Sequence, residues 1–185
     1  MLSVEIGPGN IAEDTEGCFV DCRKRTPHTR VAVWGQDPLP FGDAEVDTIF
    51  GSHVIEHVPW FMVDYALSEA FRVLKPGGTI ELWSPDFKQI VAAYLAGAIP
   101  TEDTWRRFNP SGDFMRWVNA KLFAYFDKLD DIGYEQLHKS AHDYESLSRA
   151  LSDAGFTGVQ SAARPVGYSA HGPAEFGITA VRPLN

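Results

Sequence analysis

The residues best suited to chemistry form a short polar cluster that follows an apolar run, namely Ser52, His53, Glu56 and His57. Two imidazoles and a carboxylate can exchange protons near neutral pH or bind a metal ion. A zinc helix is disfavoured, because the order differs from H-E-x-x-H and Pro59 leaves little helix to present both imidazoles. We therefore expect no metal, and either a histidine beside a substrate or cofactor or a hydrogen-bonded structural histidine.

A glycine turn, Gly7-Pro8-Gly9, follows the first predicted strand. Its first glycine can make a tight turn, and its second can let the backbone approach a ligand. The third glycine of a dinucleotide fingerprint is missing, and no acid stands at the expected spacing of about 20 residues. A nicotinamide site is therefore disfavoured.

Three carboxylates lie near the ends of successive predicted strands. Glu5 could receive a cationic amino group, and Asp21 could accept hydrogen bonds from ribose hydroxyls. Asp37, followed by Pro38-Leu39-Pro40-Phe41, offers a carboxylate for the exocyclic amine of adenine and an apolar wall for its ring. The alternatives are a solvated Glu5 and turn-forming Asp21 and Asp37. Together these residues suit a nucleoside-containing cofactor.

The elements that would position these residues follow an α/β pattern. Strands are predicted at 2–6, 18–20, 30–34, 46–51, 79–84, 159–163 and 176–181. A helix with apolar spacing at i, i+3 and i+4 should begin near Pro59 and end before Pro76, and another should run from Tyr144 to Ala154 behind Asp143 as its cap. No full helix separates the last two strands, which predicts an antiparallel hairpin on a mainly parallel sheet.

The segment 87–142 differs from the rest, because it has a helical pattern and many aromatic residues. We predict a cap or insertion within one domain, 1–185, and a helix that starts at Ser111 and runs towards Tyr125. The aromatic side chains are interpreted mainly as core, although their density hints at an apolar or aromatic ligand. These residues are Trp105, Phe108, Phe114, Trp117, Phe123, Tyr125 and Phe126.

Composition narrows the class of partner. The chain has 185 residues, 44% of them hydrophobic, which suits one domain with its own core. A formal charge of −9 disfavours binding to nucleic acid or to an anionic membrane. The sequence has neither an apolar run long enough to span a membrane nor the layout of a secretory signal peptide. We therefore expect a cytoplasmic protein with a small-molecule ligand. Cys18 and Cys22 are expected to be reduced thiols.

Three motifs then resemble one family. VEIGPG, DPLPFGDAEVDTIFGSHVIEHV and FRVLKPGGTIEL, in this order and spacing, resemble class I S-adenosylmethionine-dependent methyltransferases. The resemblance covers Val4 to Pro85 and, more loosely, Asp143 to Phe156. It implies a Rossmann-like sheet and the following roles: Glu5, Gly7 and Gly9 at the methionine end of the cofactor, Asp21 at its ribose, Asp37 and Leu39 at its adenine, and His53 near its sulfonium.

The resemblance also implies an activity, the transfer of methyl from S-adenosylmethionine to a small-molecule acceptor, with oxygen or nitrogen as the favoured nucleophile. For proton removal we expect His53 first and His57 second, with His138 and His142 as weaker candidates. The alternative is a module or partner subunit that binds S-adenosylmethionine or S-adenosylhomocysteine without transferring methyl.

The first crossover is unusually short, since only Asn10 to Glu16 separate Gly9 from Gly17. Seven residues of helix span about 10 Å, whereas a typical strand spans about 17 Å. Because parallel sheets are normally covered on both faces, we predict that part of the aromatic segment or a second subunit, as in a homodimer, covers this face.

Overall fold

The computed structural model describes residues 1–8, 18–23, 27–99, 109, 111–124, 134–163, 172 and 174–184. Within these residues the chain forms one seven-stranded sheet with the order β3-β2-β1-β4-β5-β7-β6. Strands β1 to β5 are parallel, and β7 is antiparallel to both of its neighbours. The predicted mainly parallel, Rossmann-like sheet with an antiparallel hairpin is therefore confirmed. The strands are β1 (Ser3–Ile6), β2 (Cys18–Asp21), β3 (Thr29–Val31), β4 (Val46–Ser52), β5 (Leu74–Pro85), β6 (Thr157–Ser161) and β7 (Glu175–Val181).

Four α-helices accompany the described strands: α1 (Val63–Val73), α2 (Phe87–Ala96), α3 (Phe114–Phe123) and α4 (Tyr144–Asp153). Helices α1 and α4 pack on each other, and their apolar residues share one buried core with the strands. Asp143 caps α4 as predicted, and Ser146 completes a capping box with it. Among the described helices, none is long and apolar enough to cross a membrane.

Several predicted boundaries were wrong, and the hydrogen bonds of the structure explain three of them. The third strand ends at Val31, since the backbone amides of Gln36 and Asp37 both bond to the Val33 carbonyl and turn the chain. The fifth strand starts at Leu74, because Leu74 already pairs with Val46 in the ladder. Helix α3 starts after Asp113, whose carboxylate accepts the Arg116 amide, and its predicted far end at Tyr125 lies outside the described residues.

The face of the sheet opposite α1 carries polar side chains. Ser3, Thr48 and Thr79 form one row across neighbouring strands, and the Thr48 hydroxyl donates to the Ser3 hydroxyl at 2.8 Å. Ser3 and Thr79 are exposed, and Phe50, in the next row, is half-buried. The short crossover, 10–16, lies outside the described residues. The predicted cover by an aromatic segment or a second subunit stays a prediction.

Helices α2 and α3 form a smaller cluster of their own. Ile90, Trp117, Val118 and Ala174 are buried together. Ala174 directly precedes β7, and Asp86, directly after β5, bonds to it through the backbone at 3.0 Å. The described part of the aromatic segment therefore packs where β5 ends and β7 begins. Trp105, Phe108, Tyr125 and Phe126 lie outside the described residues.

Candidate active site

The turn after β1 packs tightly between the ends of β2 and β4. The Gly7 amide donates to the Val20 carbonyl at 2.8 Å, and Gly7 has a φ of 66°. A Cβ on Gly7 would lie 2.6 Å from Cγ2 of Val54, so only glycine fits this position. The strand order reverses between β1 and β4, which is where open α/β sheets bind ligands.

His53 follows β4 in a left-handed backbone conformation with a φ of 53°. Its amide donates to the Trp83 carbonyl at 2.9 Å, which extends the β4 and β5 pairing by one residue. Its ring lies between two buried carboxylates. Nε2 is 3.0 Å from Oε2 of Glu175, and Nδ1 is 3.2 Å from Oε1 of Glu56. The structure thus supplies carboxylate partners on both sides of one imidazole.

The two carboxylates control the charge of this ring. Burial by itself would lower the pKa of His53, but the hydrogen bonds and charges of Glu175 and Glu56 outweigh it and raise that pKa. Burial would likewise raise the pKa of Glu56, but the close contact with the His53 ring lowers it to about 2. Each partner thus favours the charged form of the other.

The contact with Glu56 is the less directional of the two. Among the described residues, neither carboxylate oxygen of Glu56 has a hydrogen-bond partner of good geometry, although Oε1 is within ion-pair distance of His53. The contact is therefore a charge interaction rather than a hydrogen bond. The contact from Nε2 to Glu175 meets the hydrogen-bond criteria.

The other predicted histidines lie on the far side of Glu56. Nδ1 of His57 donates to the Leu137 carbonyl at 3.2 Å, and Nδ1 of His138 donates to the Lys121 carbonyl at 3.0 Å. Burial lowers the pKa of His138 to about 4, so this ring is neutral at physiological pH. His57 is thus brought next to His138, with which it makes an edge-to-face contact.

His142, the remaining weak candidate, bonds through Nε2 to the Ser140 hydroxyl at 2.8 Å. Burial lowers the pKa of His142 as well. Both residues line the crevice described below. The structure therefore gives His142 a local side-chain partner and keeps its ring neutral.

One set of residues has the spacing of metal ligands. Glu56, His57 and His138 each place a potential ligand atom within 4.8 Å of the others. The carboxylate of Glu56 already faces the ring of His53, and the Lys121 side chain lines the same crevice. The expectation from the sequence that no metal binds stays a prediction.

A narrow crevice adjoins Glu56, is partly open to solvent and has room for about one water-sized group. Phe87 and Ile90 of α2 and Leu122 of α3 supply its apolar lining. Ser84, on β5, is fully buried there, and its hydroxyl has no hydrogen-bond partner among the described residues. The crevice thus joins the sheet to the insertion and offers buried polar groups to a ligand.

The predicted cofactor residues divide into two groups. Asp21 is buried at the end of β2, where its carboxylate accepts the Arg23 amide at 2.9 Å, so it lies beside the Gly7 turn as expected. Glu5 is half-buried on the opposite sheet face, and burial raises its pKa. Gly9 lies outside the described residues.

Asp37 and Leu39, the two residues expected at the adenine, differ from each other in their exposure. Asp37 is exposed, and its carboxylate accepts the Val33 amide at 2.8 Å. Leu39 is only 2% exposed and belongs to the core, with its amide bonded to Glu69 of α1 at 2.8 Å. The structure therefore brings Gly7, Asp21 and His53 to one edge of the sheet and turns Leu39 away into the core.

Sequence reasoning missed Glu175 and Ser84 and did not assign a role to Glu56. Glu175 is 122 residues from His53, and no local pattern marks the first residue of an antiparallel strand as its partner. Ser84 was predicted only as the end of a strand. The contact of Glu56 with His53 could have been predicted, because Glu56 stands three residues after His53.

Comparisons with known proteins agree with this geometry. A methyltransferase domain family matches residues 19–82. A demethylmenaquinone methyltransferase of Staphylococcus aureus is 31% identical over 131 residues, which cover 66% of this chain and 45% of that protein. A trans-aconitate 2-methyltransferase of Variovorax paradoxus is 24% identical over 150 residues, covering 70% of this chain and 55% of that protein.

The fold has solved counterparts. The crystal structure of an S-adenosylmethionine-dependent methyltransferase from Thermotoga maritima superimposes with a TM-score of 0.56 and 20% identity, covering 98% of this chain and 82% of that one. The chain spans about half the length of the curated relatives it matches. Strand order and structural likeness show that the chain has the fold of class I S-adenosylmethionine-dependent methyltransferases. The domain match over residues 19–82 shows that this part of the chain is similar to a methyltransferase domain.

Proposed function

We propose that this chain binds S-adenosylmethionine where β1, β2 and β4 end and transfers its methyl group to an oxygen or nitrogen of a small-molecule acceptor. The observation that carries the proposal is the convergence of Gly7, Asp21 and His53 at the point where the strand order reverses. The methyltransferase relatives support the type of reaction, and the acceptor is part of the proposal.

The residues present fit this cofactor. Gly7 keeps the turn after β1 free of a side chain. Asp21 lies at the same edge of the sheet, where its carboxylate would accept hydrogen bonds from the ribose hydroxyls. Glu5 is assigned the amino group of the methionine end, and Asp37 the exocyclic amine of adenine. Because Leu39 is in the core, we propose no contact of its side chain with the ring.

When bound, the cofactor supplies an electrophilic methyl on a cationic sulfur. The protein must then align the acceptor, exclude water and take up a proton from an oxygen or nitrogen nucleophile. We propose that His53 takes up this proton, because among the candidate histidines it lies at the edge of the sheet that also holds Gly7 and Asp21. His57 is a weaker candidate, because its ring is bonded to Leu137 on the far side of Glu56.

The insertion 87–142 is proposed to select the acceptor. Its helices α2 and α3 supply the apolar lining of the crevice, while Glu56 and Ser84 supply buried polar atoms. An acceptor with an apolar body and a hydroxyl or amine would match both parts, since buried polar groups favour ligands that satisfy their hydrogen bonds.

The test is a transfer assay with methyl-labelled S-adenosylmethionine and a panel of phenols, amines and carboxylic acids. We expect label transfer by the native protein and a loss of about 10²-fold or more in His53→Asn, as is usual when a proton acceptor is removed. His28→Asn, a change at an exposed histidine, is the matched control and should transfer label normally. Binding of S-adenosylmethionine without transfer to any acceptor would instead favour the non-catalytic module.

A further inference from the structure

We propose that Glu56, His57 and His138 form a site for a divalent metal ion of the zinc type. Each of the three places a potential ligand atom within 4.8 Å of the others. The expectation of no metal concerned His53, Glu56 and His57 along one short stretch of chain, and the fold adds His138 to them. Binding of a metal at this site does not depend on methyl transfer.

Glu56 is the ligand that most needs a partner. Its side chain is only 2% exposed, and neither of its oxygens accepts a hydrogen bond of good geometry from a described residue. Oε1 lies 3.2 Å from Nδ1 of His53, so we assign Oε2 to the metal. A buried carboxylate without hydrogen bonds is costly, and a cation bound to Oε2 would offset that cost.

The two imidazoles are already held in the tautomer that a metal requires. Nδ1 of His57 donates to the Leu137 carbonyl at 3.2 Å, and Nδ1 of His138 donates to the Lys121 carbonyl at 3.0 Å. A carbonyl can only accept, so in each neutral ring the lone pair is on Nε2. No described residue bonds to that atom in either ring. Backbone carbonyls hold metal-binding histidines in this way, and we assign both Nε2 atoms to the metal.

Backbone hydrogen bonds bring the ligands together. The first two lie on the short helix Ile55–His57, and the segment that follows His138 crosses this helix. The amides of Lys139 and Ser140 both donate to the Glu56 carbonyl, at 2.7 and 3.1 Å. The placement of His138 beside the helix is therefore a property of the fold, and does not rest on the ligand side chains alone.

The ligand set determines the kind of metal. Zinc binds imidazole nitrogen and carboxylate oxygen at about 2.0–2.2 Å, so the ligand atoms of a tetrahedral site lie about 3.3 Å apart. On binding, the three atoms would therefore approach each other by up to about 1.5 Å from their present limit of 4.8 Å. Two imidazoles and one carboxylate are typical of zinc sites that keep a fourth position open. Glu56 and His138 also line the narrow crevice, which has room for a water as fourth ligand.

Charges near the site act in both directions. Glu175, 3.0 Å from the His53 ring, adds a second carboxylate on the other side of that ring and favours a cation. Lys121 lines the crevice, and its positive charge opposes one. Magnesium and calcium prefer oxygen ligands alone, whereas imidazole suits zinc. We therefore expect zinc rather than these ions at the site.

The test is a calorimetric titration of the metal-free protein, prepared without a histidine tag, with zinc chloride. We expect one zinc ion per chain. Glu56→Gln, His57→Asn and His138→Asn should each weaken zinc binding by about 10-fold or more, since the loss of even an outer partner has effects of that size. His28→Asn, at an exposed histidine, is the matched control and should bind zinc like the native protein. Circular dichroism checks that each variant is folded.

Cobalt(II) provides a second measurement, which reports the ligands directly and needs no variant. We expect the visible absorption of a four-coordinate site of nitrogen and oxygen ligands, without the sulfur-to-cobalt band that the free thiols of Cys18 and Cys22 would give. A spectrum with the sulfur band would place the metal at the cysteines and overturn the proposal. No binding of zinc by the native protein, or native affinity in all three ligand variants, would overturn it as well.

Discussion

At the scale of single residues, His53 is held in a conformation that few residues adopt. A non-glycine residue with positive φ is uncommon, although histidine is among those that tolerate it, and such outliers cluster at functional sites. The strained backbone directs the ring between Glu56 and Glu175, both of which are buried.

The ion pairs of His53 with Glu56 and Glu175 make stability depend on pH. The raised pKa of His53 contributes stability that is complete below about 6.5 and is lost as the pH rises through the pKa in the folded protein. The pKa of Glu56, lowered to about 2, contributes stability that is present above about 4.5 and is lost as the pH falls towards 2. The contribution is therefore greatest between about 4.5 and 6.5.

We predict that the difference in unfolding free energy between the native protein and His53→Asn is larger at pH 6 than at pH 9. Asparagine tolerates left-handed backbone angles, so the variant removes the ring without adding backbone strain. Denaturant unfolding at the two pH values measures the difference, with His28→Asn as control. A difference that is equal at both values would show that the pairs do not contribute as the geometry indicates.

At this scale the sequence allowed only half of the site to be predicted. His53 was recognisable because it follows a buried strand and stands near other polar residues. Its partner Glu175 was not, since the contact depends on the pairing of β5 with β7. Leu39 was wrongly expected to be accessible to a ligand, because nothing local shows that the chain after Asp37 runs under α1 and bonds to Glu69.

At the scale of elements, the turn after β1 and the exit from β4 form one unit. Gly7 and Val54 are in close contact, and this contact keeps the two strand ends together at the proposed cofactor edge. We predict that Gly7→Ala lowers the unfolding free energy by about 2 kcal/mol or more, from left-handed strain and overpacking. Val54→Ala makes room for the new methyl group.

A double-mutant cycle distinguishes packing from other effects. The double variant Gly7→Ala with Val54→Ala should be less destabilised than the sum of the two single changes, because the clash is removed. Thermal or denaturant unfolding of the four proteins provides the energies. Strictly additive changes in unfolding free energy would mean that the side chains at the two positions do not clash.

Elements with strong local signals were predictable. Helix α4 begins after Asp143 because the capping residue and the apolar period agree, and β6 and β7 pair antiparallel, as their short separation in the sequence predicts. The third and fifth strands were misjudged. Their limits depend on tertiary hydrogen bonds, the turn at Val33 and the early pairing of Leu74 with Val46.

At the scale of the whole molecule, the two faces of the sheet differ. One is buried under α1 and α4, and the other presents the polar row Ser3, Thr48 and Thr79. Threonine and serine hydroxyls lower the cost of leaving part of a sheet face in water. Whether an aromatic segment or a second copy of the chain covers the rest stays a prediction, and a structure of a monomer with that face bare would refute it.

The central claim is that the edge formed by β1, β2 and β4 binds S-adenosylmethionine. Calorimetric titration with its stable product S-adenosylhomocysteine tests this most directly, because no acceptor is required. We predict binding of one molecule per chain, weakened by about 1 to 3 kcal/mol in Asp21→Ala and in Asp37→Ala, as for the loss of a charged hydrogen-bond partner, with Asp64→Ala, an exposed position on α1, as control. No binding at millimolar ligand, or preferential binding of NADH, would contradict the account.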